Sequence, residues 1–356
     1  MKLLRPISVL AICLVLTANA TAQISLTPPG TQTPPPAAKP KEKPKPKPPP
    51  VVRKPAAPTA PPKPAPAATV TPAPAPDDPH VDLVYGAYQR GQYKTAFDLA
   101  TKRAEEIGDP KAMTMLGELY ANAMGVKRDY GKAAEWYKRA ADRGDREGMF
   151  ALAMLRLAGR GGPINREEAV KLLASSAKLG NPKAAYNLAL LYLDGQTLPQ
   201  DVKRSAELLR MAADAGNPEA QYALATFYKE GTGVEKDIDK AVRLLQAASL
   251  AGNVDAEVEY AIAMFNGTGT PKNEPAAVAL LRKAARQNSP IAQNRLARVL
   301  VSGQGVPMDK IEGFKWHIVA KTAGKGDLML DEAMANLSPE ERAKAEAAAR
   351  KWLGTK

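Results

Sequence analysis

The chain has 356 residues, a formal net charge of +13, 32 prolines, two histidines and one cysteine, Cys13. A single cysteine excludes intrachain disulfides and thiolate zinc sites, and two histidines make a metal-binding histidine cluster unattainable. Residues 23–79 hold eight basic against three acidic side chains, while residues 80–356 keep +6 with both signs interspersed, which excludes a basic nucleic-acid stripe.

At the N-terminus, Lys2 and Arg5 precede an apolar run at residues 7–16, and Ala18-Asn19-Ala20 and Ala20-Thr21-Ala22 both offer small-x-small cleavage patterns. This layout predicts a signal peptide over residues 1–22, cut after Ala22. The run is short for a membrane helix, which needs about 20 residues, so an uncleaved membrane anchor is the alternative. Cys13 lies inside the run behind Ile12, where a lipid-attachment signal wants a small residue, and it leaves with the signal.

Residues 23–79 read as a disordered Pro/Lys/Ala-rich linker, with strict Pro-Lys alternation around Lys39-Pro40-Lys41 and Lys43-Pro44-Lys45. Such a segment has almost nothing apolar to bury and favours polyproline II, at about 3.1 Å per residue. It serves as a stiff spacer. The sharper reading is a tether whose lysines weakly touch anionic envelope polymers or lipid headgroups.

Residues 80–107 predict an N-terminal capping helix pair, with Ala87, Tyr88, Gly91, Tyr93 and Ala96 at tetratricopeptide-like spacing. From there a glycine recurs every 36 residues, at Gly108, Gly144, Gly180, Gly216 and Gly252, each followed by Asp or Asn, and the next step lands on Asn288. A fixed period of this size marks a solenoid. Within residues 180–215, Gly180 is suited to end a helix, Asn181 to cap the next, and Pro182 to stand at its first position. A second helix starts after Asp201, and equivalent caps fall at Asp129, Asn165, Asp237, Asn273 and Asp309. Glu168 and Glu312, three residues beyond Asn165 and Asp309, predict capping-box variants.

Small residues repeat in columns, among them Ala112, Gly148, Ala184, Ala220, Ala256 and Ala292. Large ones face them at Leu116, Leu152, Leu188, Leu224, Tyr260 and Leu296. In the second helix the columns are Ala140 to Ala320 (small) and Trp136, Leu172, Leu208, Leu244, Leu280 and Trp316 (large). No single pair can bury its face, so neighbours must stack. Residues 324–356 predict C-terminal capping helices, the last of them opened by Ser338-Pro339-Glu340-Glu341.

The string Gly-Asn-Pro-x-Ala-x-Tyr-x-Leu-Ala-x-x-Tyr, present from Gly180 and again from Gly216, resembles the Sel1-like repeat, a cousin of the tetratricopeptide repeat. The resemblance covers residues 108–323. It implies an all-α, right-handed α/α superhelical solenoid of six helix-pair repeats with helical caps. It departs at Thr197, where a loop glycine is missing, and at Asn288. It also implies a bacterial regulator or adaptor of signalling or envelope processes; the signal-like N-terminus adds export to the periplasm, with a membrane-anchored, periplasm-spanning structural protein as the alternative.

No enzyme is predicted, and no cofactor or metal. His80 sits at the linker edge, and His317 follows Trp316 with no partner histidine or cysteine at ligand spacing. The Gly-x-Gly turns recur with the repeat after helices, so they are interhelix turns rather than phosphate loops. An enzyme acting on wall polymer or β-lactams, as proposed for cysteine-rich members of the family, is a further alternative that lacks its cysteines here. The expected partner is a protein or peptide. With 100° per residue, positions 7 and 11 of each repeat fall opposite the core stripe. In the middle repeats these are Phe150, Met154, Tyr186, Leu190, Tyr222 and Thr226, an apolar ladder that either binds that partner or is covered by the curl of the superhelix itself.

Overall fold

The structure is a computed structural model and describes residues 82–354. The expected signal peptide and linker lie outside the described residues. Among the described residues there are sixteen helices and no strand. A first pair, α1 (Leu83–Gln89) and α2 (Tyr93–Glu106), precedes six further pairs. These are α3 (Pro110–Asn122) with α4 (Tyr130–Ala141), α5 (Arg146–Ala158) with α6 (Arg166–Lys178), and α7 (Pro182–Asp194) with α8 (Val202–Asp214). They continue as α9 (Pro218–Glu230) with α10 (Ile238–Leu250), α11 (Val254–Asn266) with α12 (Glu274–Arg286), and α13 (Pro290–Ser302) with α14 (Lys310–Thr322). Two closing helices follow, α15 (Leu328–Ala335) and α16 (Pro339–Leu353).

The helix boundaries follow from side-chain capping. Asn181, Asn217 and Asn253 each accept the backbone N–H three residues on, and Asp129, Asp201, Asp237 and Asp309 do the same for the second helices. Each such cap satisfies a donor that the helix leaves unpaired, and is worth about 1 kcal/mol. The full reciprocal capping box forms at Ser338 and Glu341. The variants expected at Asn165 and Asp309 keep only the forward half. Glu168 turns to Arg156 and to the Asn165 amide, and Glu312 turns to Arg282 and Trp316. Asn288, where the glycine period breaks, takes the same left-handed conformation as the glycines before it, with φ 63°. Asparagine is among the few residues that tolerate this region.

The first-helix columns are buried as their spacing predicts, with Leu116, Leu152, Leu188, Leu224 and Leu296 at most 4% exposed. Tyr260 is half-buried. Glycine in the small column is a steric requirement at Gly148, where a Cβ would stand 2.7 Å from that of Ala140 in α4, and Gly117 is as tightly placed, 2.4 Å from the Tyr137 ring. In the second helices the expected large column is buried at Leu208 and Trp316, 2% exposed each, and elsewhere the core seam lies one residue later. Trp136, Leu172, Leu244 and Leu280 are half-buried, whereas Tyr137, Leu173, Leu209, Leu245 and Leu281 are at most 4% exposed. The helix wall straddles both columns, and the following residue points more directly inward. In the last repeat this inner place belongs to His317.

Packing runs mainly between helices adjacent in the chain, with α14 also packed on α16. That last contact is sealed by the Trp316 and Trp352 rings, edge to face at 5.0 Å, with the Lys315 ammonium over both.

Candidate partner-binding groove

The first helices of the fourth, fifth and sixth repeats line a groove of about 460 Å³. Its floor is Val258 and Ile262 of α11, with Ile238 and Val242 of α10 behind them. Val258, Ile262 and Ile291 stand at repeat positions 7, 11 and 4, on the side of each helix opposite the core stripe; Val258 is buried at the base of the groove, 3% exposed, and Ile262 is half-buried. Ile291 of α13 is 43% exposed, which makes it the most accessible apolar side chain of the groove wall.

One wall is acidic and fixed. Glu259 accepts the Lys229 ammonium at 2.8 Å and the Tyr222 hydroxyl at 3.0 Å, tying α11 to α9. Asp255 lies beside it. Loss of water around the Asp255 carboxyl, and then the Glu259 charge, hold it above the usual carboxylate range.

The other wall is basic. Arg298 of α13 pairs with Asp327, whose side chain is 2% exposed and which also caps α15 through the Met329 and Leu330 amides. Asn294 donates to Asp327 at 3.4 Å and to the Lys325 carbonyl at 3.3 Å. Burial pushes the Asp327 carboxyl up, but the Arg298 hydrogen bond and charge, with the Asn294 and Leu330 donors, outweigh it, and the net shift is downward. Arg295, one turn before Arg298, is half-buried. Dehydration, and then repulsion from Arg298, push its guanidinium below the usual range. It has no ion pair or hydrogen bond among the described residues.

The six side chains expected from the sequence are not brought together as one open ladder. Tyr186 is 9% exposed and Thr226 8%, so both belong to the core, and the Thr226 hydroxyl donates back to the Tyr222 carbonyl. Phe150 and Leu190 are half-buried against the same core cluster, and Met154 is 37% exposed. Of the six, Tyr222 lines the groove. The expected stripe continues into the groove at Val258 and Ile262, and then at Asn294 and Arg298, which look like a polar end in the sequence. Sequence reasoning missed Glu259 and Arg295 at position 8 and the Lys325–Asp327 turn after the last repeat. A cap residue at Asp327, directly before an apolar helix start, is the signal that could have revealed that turn.

Among the described residues no group of three His, Cys, Asp or Glu side chains could hold a metal ion, and no helix is long and apolar enough to cross a membrane. His317 lies away from the groove, fully buried. Its Nε2 is 2.8 Å from Asp331 Oδ1, and its Nδ1 lacks a partner. Asp331 also accepts from Lys321, which with His317 lowers its pKa.

The family model of the Sel1 repeat matches six consecutive stretches, residues 110–145, 146–181, 182–217, 218–253, 254–289 and 290–325. Two solved structures share the fold. One is a protective antigen of uropathogenic Escherichia coli strains displaying an SLR fold. It is 23% identical at a TM-score of 0.65, over 76% of this chain, and the match spans 60% of the antigen's own length. The other is a Sel1 repeat protein from Oxalobacter formigenes, 26% identical at a TM-score of 0.61, over 67% of this chain and 98% of that one. No curated protein matches the chain.

Proposed function

The chain belongs to the Sel1-repeat family, and on that footing we propose that it is a non-catalytic adaptor that holds a protein partner in the groove of its fourth to sixth repeats. Repeats of this family generally serve protein–protein interaction. The observation that carries the reading is the groove itself: an apolar floor, aligned across three stacked helices, between walls of opposite charge. Floors of this kind supply binding energy by losing water, and charged walls fix orientation. Two of its charged groups are structural: Glu259 and Asp327 are held by Lys229 and Arg298.

The test is co-purification of the tagged full chain from its native cells. The double variant Ile262→Ser/Ile291→Ser is expected to lose a partner that the wild type retains, while Leu250→Ser, at an 83% exposed site outside the groove, keeps it. Thermal melting checks that the variants stay folded. Identical partners in all three preparations would remove the groove from the account.

We further propose that the adaptor works outside the cytoplasm, in the periplasm of a Gram-negative bacterium. The support is the basic, apolar and small-residue order of residues 1–22. N-terminal sequencing of the purified protein should begin at Gln23. A start at Met1 would point instead to an uncleaved anchor.

A further inference from the structure

Arg295 presents a charge balance that the fold leaves open. The α13 wall carries Arg295, Arg298 and the exposed Lys325 against one anion, Asp327. That anion is already taken up by Arg298, by the Asn294 amide and by the backbone donors of α15. Arg295 is therefore a half-buried guanidinium beside a like charge, partly stripped of water, and the anion that acts on it, Asp327, forms its ion pair with Arg298 instead. A dehydrated cation of this kind is costly until an anion reaches it, and then makes a short, directional pair. Next to it lies Ile291, 43% exposed, and across the floor Ile262, so an anion at Arg295 arrives alongside aliphatic surface.

We propose that the groove takes a peptide segment that places a carboxylate on Arg295 and neighbouring aliphatic side chains on Ile262 and Ile291. This rests on the reading of the groove as the docking site for a protein. The chain's own N-terminal segment is a poor occupant, since residues 23–79 hold eight basic against three acidic side chains and the α13 wall repels them. The carboxylate is that of an Asp or Glu side chain within the segment; a free chain end is the competing source, which the experiment separates.

The full chain is used to select from random 12-residue displayed peptides, in one arm fused at both ends and in the other with a free C-terminus. Winners should carry Asp or Glu next to Leu, Ile or Val in the fused arm if the side chain is the source. They should appear only in the free arm if the chain end is the source. Arg295→Ala should weaken the winning peptide about tenfold or more. Neutralising the peptide's carboxylate should cost the same, and the two changes together no more than either alone. Arg128→Ala, an exposed cation outside the groove, should bind like the wild type. Melting of Arg295→Ala should match or exceed the wild type, because the substitution removes an unpaired charge. Winners without acidic groups, or acidic winners that bind Arg295→Ala equally well, would overturn the carboxylate assignment and leave the groove reading intact. Failure to enrich any peptide would overturn the groove as a peptide site altogether.

Discussion

Ala123 holds φ at 59° where α3 ends, the place that the five later repeats give to Gly159, Gly195, Gly231, Gly267 and Gly303. A side chain in the left-handed region costs roughly 1–2 kcal/mol, so Ala123→Gly should stabilise the protein by about 1 kcal/mol in denaturant unfolding, less the entropy that glycine adds to the unfolded chain. A loss of stability would mean that Ala123 packs in a way its backbone does not reveal. Asp255 gives a prediction with a pH signature. Its folded pKa is raised, so the native state binds the proton more tightly than the unfolded chain, and stability falls as pH rises from the unfolded value, about 3.9, through the folded one. Asp255→Asn should then raise the melting temperature at pH 7 and leave it little changed at pH 3. An equal shift at both pH values would show that charge is not the cause. Both residues were readable in the sequence only as positions in a period; the strain at one and the crowding at the other need the fold.

At the scale of the helix, the sequence spoke clearly about caps and less clearly about which side of the second helices faces the core. Asn and Asp announce helix starts by local chemistry, so Asp201 and Asn217 could be placed without any tertiary knowledge. The second-helix seam could not be fixed that way, because large residues occupy two adjacent columns and neighbouring helices decide between them. Trp136 and Leu172 looked equivalent to Tyr137 and Leu173 until packing buried the latter pair. His317 stands in this inner column with an unpartnered Nδ1. His317→Leu should therefore be neutral or stabilising by roughly 1 kcal/mol, since it removes an unsatisfied buried group and installs the residue found in four other repeats. Asp331 keeps Lys321 in that variant. A loss above about 2 kcal/mol would instead make the His317–Asp331 bond a necessary tie between α14 and α15.

Across the whole array, helix pairs meet mainly their neighbours in the chain, so stability is the sum of local seams and the surface between them is free to vary. That independence explains what was legible about the site. The period located the stripe at positions 4, 7 and 11, and the groove lies on it. The period did not say where along the array the stripe stays open. Tyr186 is covered by its surroundings, whereas Ile262 and Ile291 line a gap bounded by α13 and the turn at Lys325. At its edge Arg298 pairs with Asp327, a residue beyond the last repeat. No repeat-by-repeat reading contains such a relation.

The central claim is that a protein segment occupies the groove of repeats four to six in the cell. Site-specific photo-crosslinking tests it most directly, with a photoreactive residue placed in the full chain at Ile262 and, separately, at Leu250. The account predicts a discrete crosslinked partner from position 262 and none from position 250. Equal crosslinking at the two positions, or a partner captured from 250 alone, would contradict it.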